Sequence, residues 1–297
     1  MFIADAHCDA LHRMVAHDRE RTVTPQSLRA GGVGVQALAI FAGDTQNRGY
    51  HRAAPMLEAL RAFGAPVLAE ELPATPPQTP HVVVTVEGGE LFEGDPAKLR
   101  ALDAQARLRM LGLTWNFENE LACPALSGSC QGLKPRGREF LAEMGRLRIL
   151  ADVSHLNEAG FWDVCERSAL PPVASHSDCR WLCDTPRNLT REQARAIFQR
   201  RGFVGVNFFP EFLREDGVAT IDDVVRHIDA LMELGGEDCV GFGSDFDGIS
   251  SHPEGLASPA DVPRILEALE KRGYTQKQVA GVAGLNLYRV LRETNRV

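Results

Sequence analysis

The sequence predicts an α/β protein, a (β/α)8 TIM-type barrel, and three observations carry that prediction. Short apolar runs alternate with longer amphipathic stretches, the order that builds a parallel sheet. The apolar runs number eight in 297 residues, which suits a closed barrel better than an open sheet. Ionisable residues recur just after the apolar runs, where a barrel would gather them on one rim.

The first strand, Phe2–Asp9, runs apolar residues into His7-Cys8-Asp9. Alternation along a strand puts His7 and Asp9 on one face and Cys8 on the other. Val33–Phe41 is the second strand and a helix is expected over His51–Glu70. The Pro-rich stretch Leu72–Pro80 then leads into a third strand, His81–Glu87. Pro96–Met110 reads as helix, Leu111–Trp115 as strand, Pro135–Arg146 as helix and Arg148–Val153 as strand. Helix Glu158–Ser168, strand Pro172–Ser175, helix Leu189–Arg200 and strand Gly202–Phe208 follow. Helix Ile221–Leu234, strand Cys239–Ser244 and helices Pro259–Lys271 and Thr275–Arg292 close the chain. No repeat, low-complexity run or linker calls for a second domain, so residues 1–297 are read as one catalytic barrel.

Composition narrows the partners. A net charge of −8 without a Lys/Arg run argues against nucleic acid and anionic membrane surfaces. No apolar run approaches the roughly 20 residues that span a bilayer. The start of the chain carries neither a basic segment nor a greasy one, and the seven Cys include no CxxC pair. Reduced thiols in the cytoplasm are the expectation.

The chemistry collects at strand ends. His7 and Asp9 end the first strand, Glu87 the third, His155 the run from Ile149, His176 the run from Pro172, and Asp245 the run from Val240. Singly, each has an ordinary reading: Glu87 as a turn cap, His155 as a helix-capping group, His176 as a hydrogen-bonded loop residue. Together they form a set of imidazoles and carboxylates that suits Zn²⁺ ahead of Mn²⁺, Fe²⁺ or Co²⁺. Six donors exceed what one tetrahedral zinc takes, so two metals sharing a carboxylate are expected. Glu87 has the reach to bridge them, and Gly88-Gly89 leave room beside it.

Asp5-Ala6-His7-Cys8-Asp9, Val86-Glu87-Gly88-Gly89, Asp152-Val153-Ser154-His155, Ser175-His176-Ser177, Arg187-Asn188 and Gly241-Phe242-Gly243-Ser244-Asp245-Phe246-Asp247-Gly248 occur in that order. The combination resembles the membrane dipeptidases, also called renal dipeptidases, a family of zinc metallopeptidases. The resemblance runs from the first strand to the closing Ala283–Val290 segment. It implies a metal-dependent hydrolase barrel with two Zn²⁺ ions, one on His7 and Asp9, the other on His155 and His176, bridged by Glu87. It also implies that Asp245 receives the free amino group of a dipeptide and that Arg187 grips its terminal carboxylate, a task suited to a planar fork. Asp245 is placed to carry a proton to the leaving amine. Asp247 is read as a supporting or turn-forming residue.

Many members of that family carry a His after the fourth strand that bonds the substrate carbonyl. Trp115 holds that position here, so Trp115 or Asn116 is expected to take over the contact, or else the metals act alone. The expected function is hydrolysis of L-Xaa-L-Xaa or L-Xaa-D-Xaa dipeptides. The alternative is metal-dependent hydrolysis of another class, such as N-acyl-amino acids or lactones. A homodimer is expected by resemblance alone.

Overall fold

The eight apolar runs become eight parallel strands: β1 (Ile3–Asp5), β2 (Val33–Phe41), β3 (His81–Glu87), β4 (Leu108–Gly112), β5 (Leu150–Asp152), β6 (Val173–Ala174), β7 (Phe203–Val206) and β8 (Val240–Phe242). The structure is a computed structural model that describes residues 1–43, 48–68 and 71–295. Each strand pairs with the next, and β8 closes on β1 where Asp5 faces Phe242, so the sheet is the expected closed barrel. Helices cover its outside, which is why the strands are apolar on both faces. In β3, Val82, Val84 and Val86 belong to the large apolar cluster and Val83 to a second one with Ala4, Val35, Leu150 and Phe203. Period two therefore places Thr85 and Glu87 on the Val83 face.

Most strands are shorter than the sequence suggested, because the chain leaves the ladder before it reaches the polar residues. Only Glu87 lies inside its strand; His7, His155, His176 and Asp245 stand two or three residues past theirs. The fourth strand also starts earlier than expected. The helix Pro96–Ala106 ends where Arg107 turns left-handed at φ 55°. Asp103 directs that stop: its carbonyl accepts from Arg107 N–H at 2.8 Å and its Oδ1 accepts from Leu108 N–H at 2.9 Å. β4 is thus Leu108–Gly112 rather than Leu111–Trp115, and Trp115 and Asn116 fall in the loop beyond it.

The helix expected over Thr275–Arg292 is broken into Gln276–Ala280, a wide turn at Gly281–Leu285, and Asn286–Glu293. Gly284 explains the break. A Cβ there would lie 2.5 Å from Ala4 N, so bare backbone is needed against β1. The helix expected over His51–Glu70 is Ala53–Ala62 after a 3-10 turn at Tyr50–Arg52; residues 69–70 lie outside the described residues. Two short helices, Ala10–Val15 and Pro25–Ala30, fill the β1–β2 connection, where their brevity hides any period. No helix among the described residues is long and apolar enough to cross a membrane.

Candidate metal centre

Five of the strand ends bring their ionisable side chains into one place. His7 Nε2 lies 3.7 Å from Asp9 Oδ2, 3.7 Å from Glu87 Oε1 and 3.6 Å from Asp245 Oδ1. On the other side of Glu87, His155 Nε2 is 2.9 Å from Glu87 Oε1 and 2.9 Å from His176 Nε2, and His176 Nε2 is 3.8 Å from Glu87 Oε1. The His7 and His176 rings stack with centroids 3.9 Å apart. Donors around a tetrahedral zinc with bonds of about 2.0–2.1 Å stand about 3.4 Å from one another, so both halves have the right spacing. His7 Nε2 and Asp9 Oδ1 are buried and have no hydrogen-bond partner among the described residues, as expected of atoms aimed at a cation.

The electrostatics agree with the geometry. Burial works against charge on His7, yet Glu87, Asp9 and Asp245 around it prevail and push its pKa up to about 10. Burial pushes Asp245 up to about 6 against the pull of His7, and burial together with Asp9 drives Glu87 well up. Crowded buried carboxylates of this kind call for positive charge in their midst. Burial, reinforced by the nearby Arg187 and His7, holds His155 and His176 well below the usual imidazole range, in the neutral form that coordinates metals.

Two buried carboxylates that the sequence reading left without a role set this arrangement. Asp152 Oδ1, at the end of β5, accepts from Ser154 N–H at 3.0 Å, Ser154 Oγ at 2.8 Å and Ser175 N–H at 3.0 Å, and its Oδ2 accepts from the Ser175 hydroxyl. That hydroxyl lies 2.7 Å from His176 Nδ1. Having donated to Asp152, it accepts the His176 Nδ1 proton and leaves Nε2 bare toward Glu87. Asp5, at the end of β1, does the same at the barrel seam, accepting from Ser244 N–H at 2.9 Å, the Ser244 hydroxyl, Gln36 Nε2 at 3.1 Å and His7 N–H at 3.4 Å. Asn207, also unforeseen, donates from Nδ2 to Asp245 Oδ2 at 3.1 Å while its Oδ1 accepts from Phe209 N–H at 2.7 Å. The signal for the two carboxylates was present: an Asp two or three residues before a His of this cluster, at the end of an apolar run.

Asp245 and Asp247 both take left-handed backbone, at φ 61° and 67°, which Asp tolerates better than most residues. The chain therefore does not continue as a strand. Asp247 instead fastens the Thr22–Val23 segment, accepting from Thr22 N–H at 2.6 Å and Val23 N–H at 3.1 Å.

A cavity of about 790 Å³ opens over these donors, bordered by Asp9, Glu87, His155, Arg187 and Asp245, with Trp115 and Asn116 on its wall. Arg187 is buried. It donates to Ser154 O, stands 3.1 Å from His155 Nε2 and lies over the Phe212 ring. Trp115 packs edge-on to Phe41 and Phe117, at 4.8 and 5.3 Å between centroids. Asn116 Oδ1 is 2.9 Å from His155 Nδ1.

One histidine outside the centre contributes to acid stability. His227 is fully buried; its Nδ1 accepts from Cys179 N–H at 3.1 Å and its Nε2 donates to Leu213 O at 3.1 Å. Burial pulls its pKa down to about 4, and Asp178, 3.8 Å away, is itself pushed well up and favours its neutral form. Between pH 6.5 and about 4 the unfolded chain binds the extra proton, so stability is full above this window and falls as pH drops through it. The loss is about 3 kcal/mol from this group. Chemical denaturation from pH 7 to 4 should show that fall, and His227→Gln should make it shallower by about this amount, the depressed His155 and His176 still contributing; an unchanged slope in the variant counts against His227.

A family model described as membrane dipeptidase (peptidase family M19) matches residues 1–297. The chain belongs to this family. It is 39% identical over 221 residues to an uncharacterized protein from the pqqA 5′ region of Klebsiella pneumoniae, covering 71% of this chain and 81% of that one. It is 34% identical over 223 residues to an uncharacterized dipeptidase of Schizosaccharomyces pombe, covering 73% of this chain and 53%, about half, of the yeast protein. A crystal structure of a metallo peptidase from Rhodobacter sphaeroides, liganded with a phosphinate mimic of the dipeptide L-Ala-D-Ala, superposes with a TM-score of 0.88 at 28% identity, covering 100% of this chain and 99% of that one. Membership in the M19 family makes the chain a metal-dependent hydrolase of the dipeptidase type.

Proposed function

We propose that this metallo-dipeptidase cleaves L-Xaa-L-Xaa or L-Xaa-D-Xaa dipeptides using two Zn²⁺ ions, held by His7, Asp9, Glu87, His155 and His176. The observation that carries the reading is one carboxylate oxygen, Glu87 Oε1, within 3.8 Å of three imidazole nitrogens from three other strand ends. Divalent cations in this setting supply Lewis acidity and an acidified water for attack on a peptide carbonyl. Asp245, fixed by Asn207, is placed to take a proton from the attacking water and to return it to the departing amine. The same carboxylate meets the substrate's free amino group, and Arg187 its terminal carboxylate. Anchors at both ends favour dipeptides over longer chains. The L-Ala-D-Ala mimic bound by the Rhodobacter relative supports this substrate class. A cytoplasmic setting is part of the reading, supported by seven cysteines without a disulfide.

Chelation followed by zinc add-back, assayed on dipeptides with D- and L-residues at either end, tests the reading. Activity lost and restored, with two zinc ions per chain by elemental analysis, is the expected result; activity indifferent to chelator sinks it. Arg187→Ala should raise KM on the order of 10–100-fold, since a charge-assisted hydrogen bond contributes about 1.5–3 kcal/mol. An unchanged KM would direct attention to lactones or other substrates without a free terminal carboxylate.

A further inference from the structure

Resting on the dipeptidase reading of this site, we propose that Arg187 couples the cation on His155 and His176 to the substrate: its positive charge weakens the hold on that cation until a carboxylate of the substrate neutralises it. Cation and dipeptide then bind cooperatively, each tightening the other by the same factor.

The guanidinium stands against a ligand nitrogen. Arg187 Nη2 is 3.1 Å from His155 Nε2, the same nitrogen that lies 2.9 Å from Glu87 Oε1 and 2.9 Å from His176 Nε2. A zinc bound to that nitrogen at about 2.0–2.1 Å is therefore no farther than about 5 Å from the guanidinium. Arg187 Nη1 donates to Ser154 O, beside His155 in the chain, and the Phe212 ring centre is 5.4 Å from the guanidinium carbon. The charge cannot swing clear without giving up both contacts. Arg187 is 5% exposed, so little water screens it.

The two halves of the centre differ in what offsets a cation. Asp9, Glu87 and Asp245 all stand within 3.7 Å of His7 Nε2. Around His155 and His176 the described carboxylate at that range is Glu87, and it is shared with the other half. Asp152 stands behind His176 through the Ser175 hydroxyl, but Asp5 stands behind His7 in the same way, so the two offset one another. Among the described residues no contact of Arg187 is a carboxylate. Asp245 and Glu87 attract it from farther off, and they are the groups that the cations draw on. A carboxylate arriving on Arg187 supplies the missing negative charge. A charge within about 4–6 Å shifts an ionic equilibrium on the order of 10–10³-fold, so the coupling is large enough to measure.

Zinc affinity, measured against a metal-buffering chelator with elemental analysis of the bound metal, tests the coupling without recourse to turnover. The full chain is titrated alone, with saturating D-alanine, and with saturating D-alaninamide, which lacks the carboxylate. D-Alanine should tighten the weaker zinc by at least about tenfold, and D-alaninamide should not. Saturating zinc should lower the Kd for D-alanine by the same factor. Arg187→Gln should hold the weaker zinc at least about tenfold more tightly than wild type and should no longer respond to D-alanine. The wild-type titrations decide the matter even if the variant does not fold. A wild-type response to D-alanine below about threefold, or an equal response to D-alaninamide, overturns the proposal. So does an undiminished response in Arg187→Gln, since the carboxylate would then act on the metal directly. A wild-type protein that cleaves no dipeptide overturns the substrate reading and this proposal with it, whereas an active wild type whose zinc ignores D-alanine overturns the coupling alone.

Discussion

Glu87→Ala is expected to lower dipeptide turnover by at least about 10³-fold and to leave fewer than two cations per chain. Losing a hydrogen-bond partner of a ligand already costs about 10–100-fold in metal affinity or activity, and in the proposed bridging role Glu87 would itself be a ligand to both ions. The same change relieves the fold. Glu87 shares a buried pocket with Asp9 and Asp245, and burial first and Asp9 second push its carboxyl well up. In chelated protein, therefore, the variant should melt no lower than wild type. Elemental analysis and thermal unfolding with chelator, run on the same samples, separate lost chemistry from lost structure. Wild-type metal content with retained turnover would remove Glu87 from the bridging role.

Gly248→Ala is expected to cost about 10²–10³-fold in turnover with the barrel intact, since displacing reacting groups by about 1 Å can cost 10²-fold. A Cβ at position 248 would stand 2.4 Å from Asp245 Oδ1 and 2.4 Å from Asp9 Oδ2. Both carboxylates would have to retreat, one from the metal side of His7 and the other from the proton path. The displaced atoms are side-chain tips rather than backbone, and Asp247 next door still holds Thr22 and Val23, so global stability should be nearly unchanged. Full turnover in the variant would show that the two carboxylates need not meet over this glycine.

The fold was legible because β3 and its counterparts are apolar on both faces and recur eight times; that pattern survives any error of two or three residues at an end. The end of β4 was misread because Leu111, Leu113 and Trp115 look like a strand, while the deciding interaction, the Asp103 carboxylate on Leu108 N–H, is a side-chain bond that no period reveals. The break at Gly284 was hidden for a similar reason: it answers to β1, more than 270 residues away in the chain. The assembled donors were visible as strand-end residues. What holds them was not, because Asp152 clasps Ser175 and Asp5 clasps Ser244, pairings that exist only once neighbouring strands are side by side.

Those two clasps divide the molecule for an engineer. Each ties the end of one strand to the start of the loop leaving the next, below the level at which a substrate is touched. The segments above them, from Trp115 onward after β4 and from Phe209 onward after β7, reach the cavity without taking part in either tie. A library that diversifies those upper segments while freezing Asn116, which meets His155 Nδ1, together with Asp5, Asp152, Ser175 and Ser244 should retain its cations and vary chiefly in which amide it accepts.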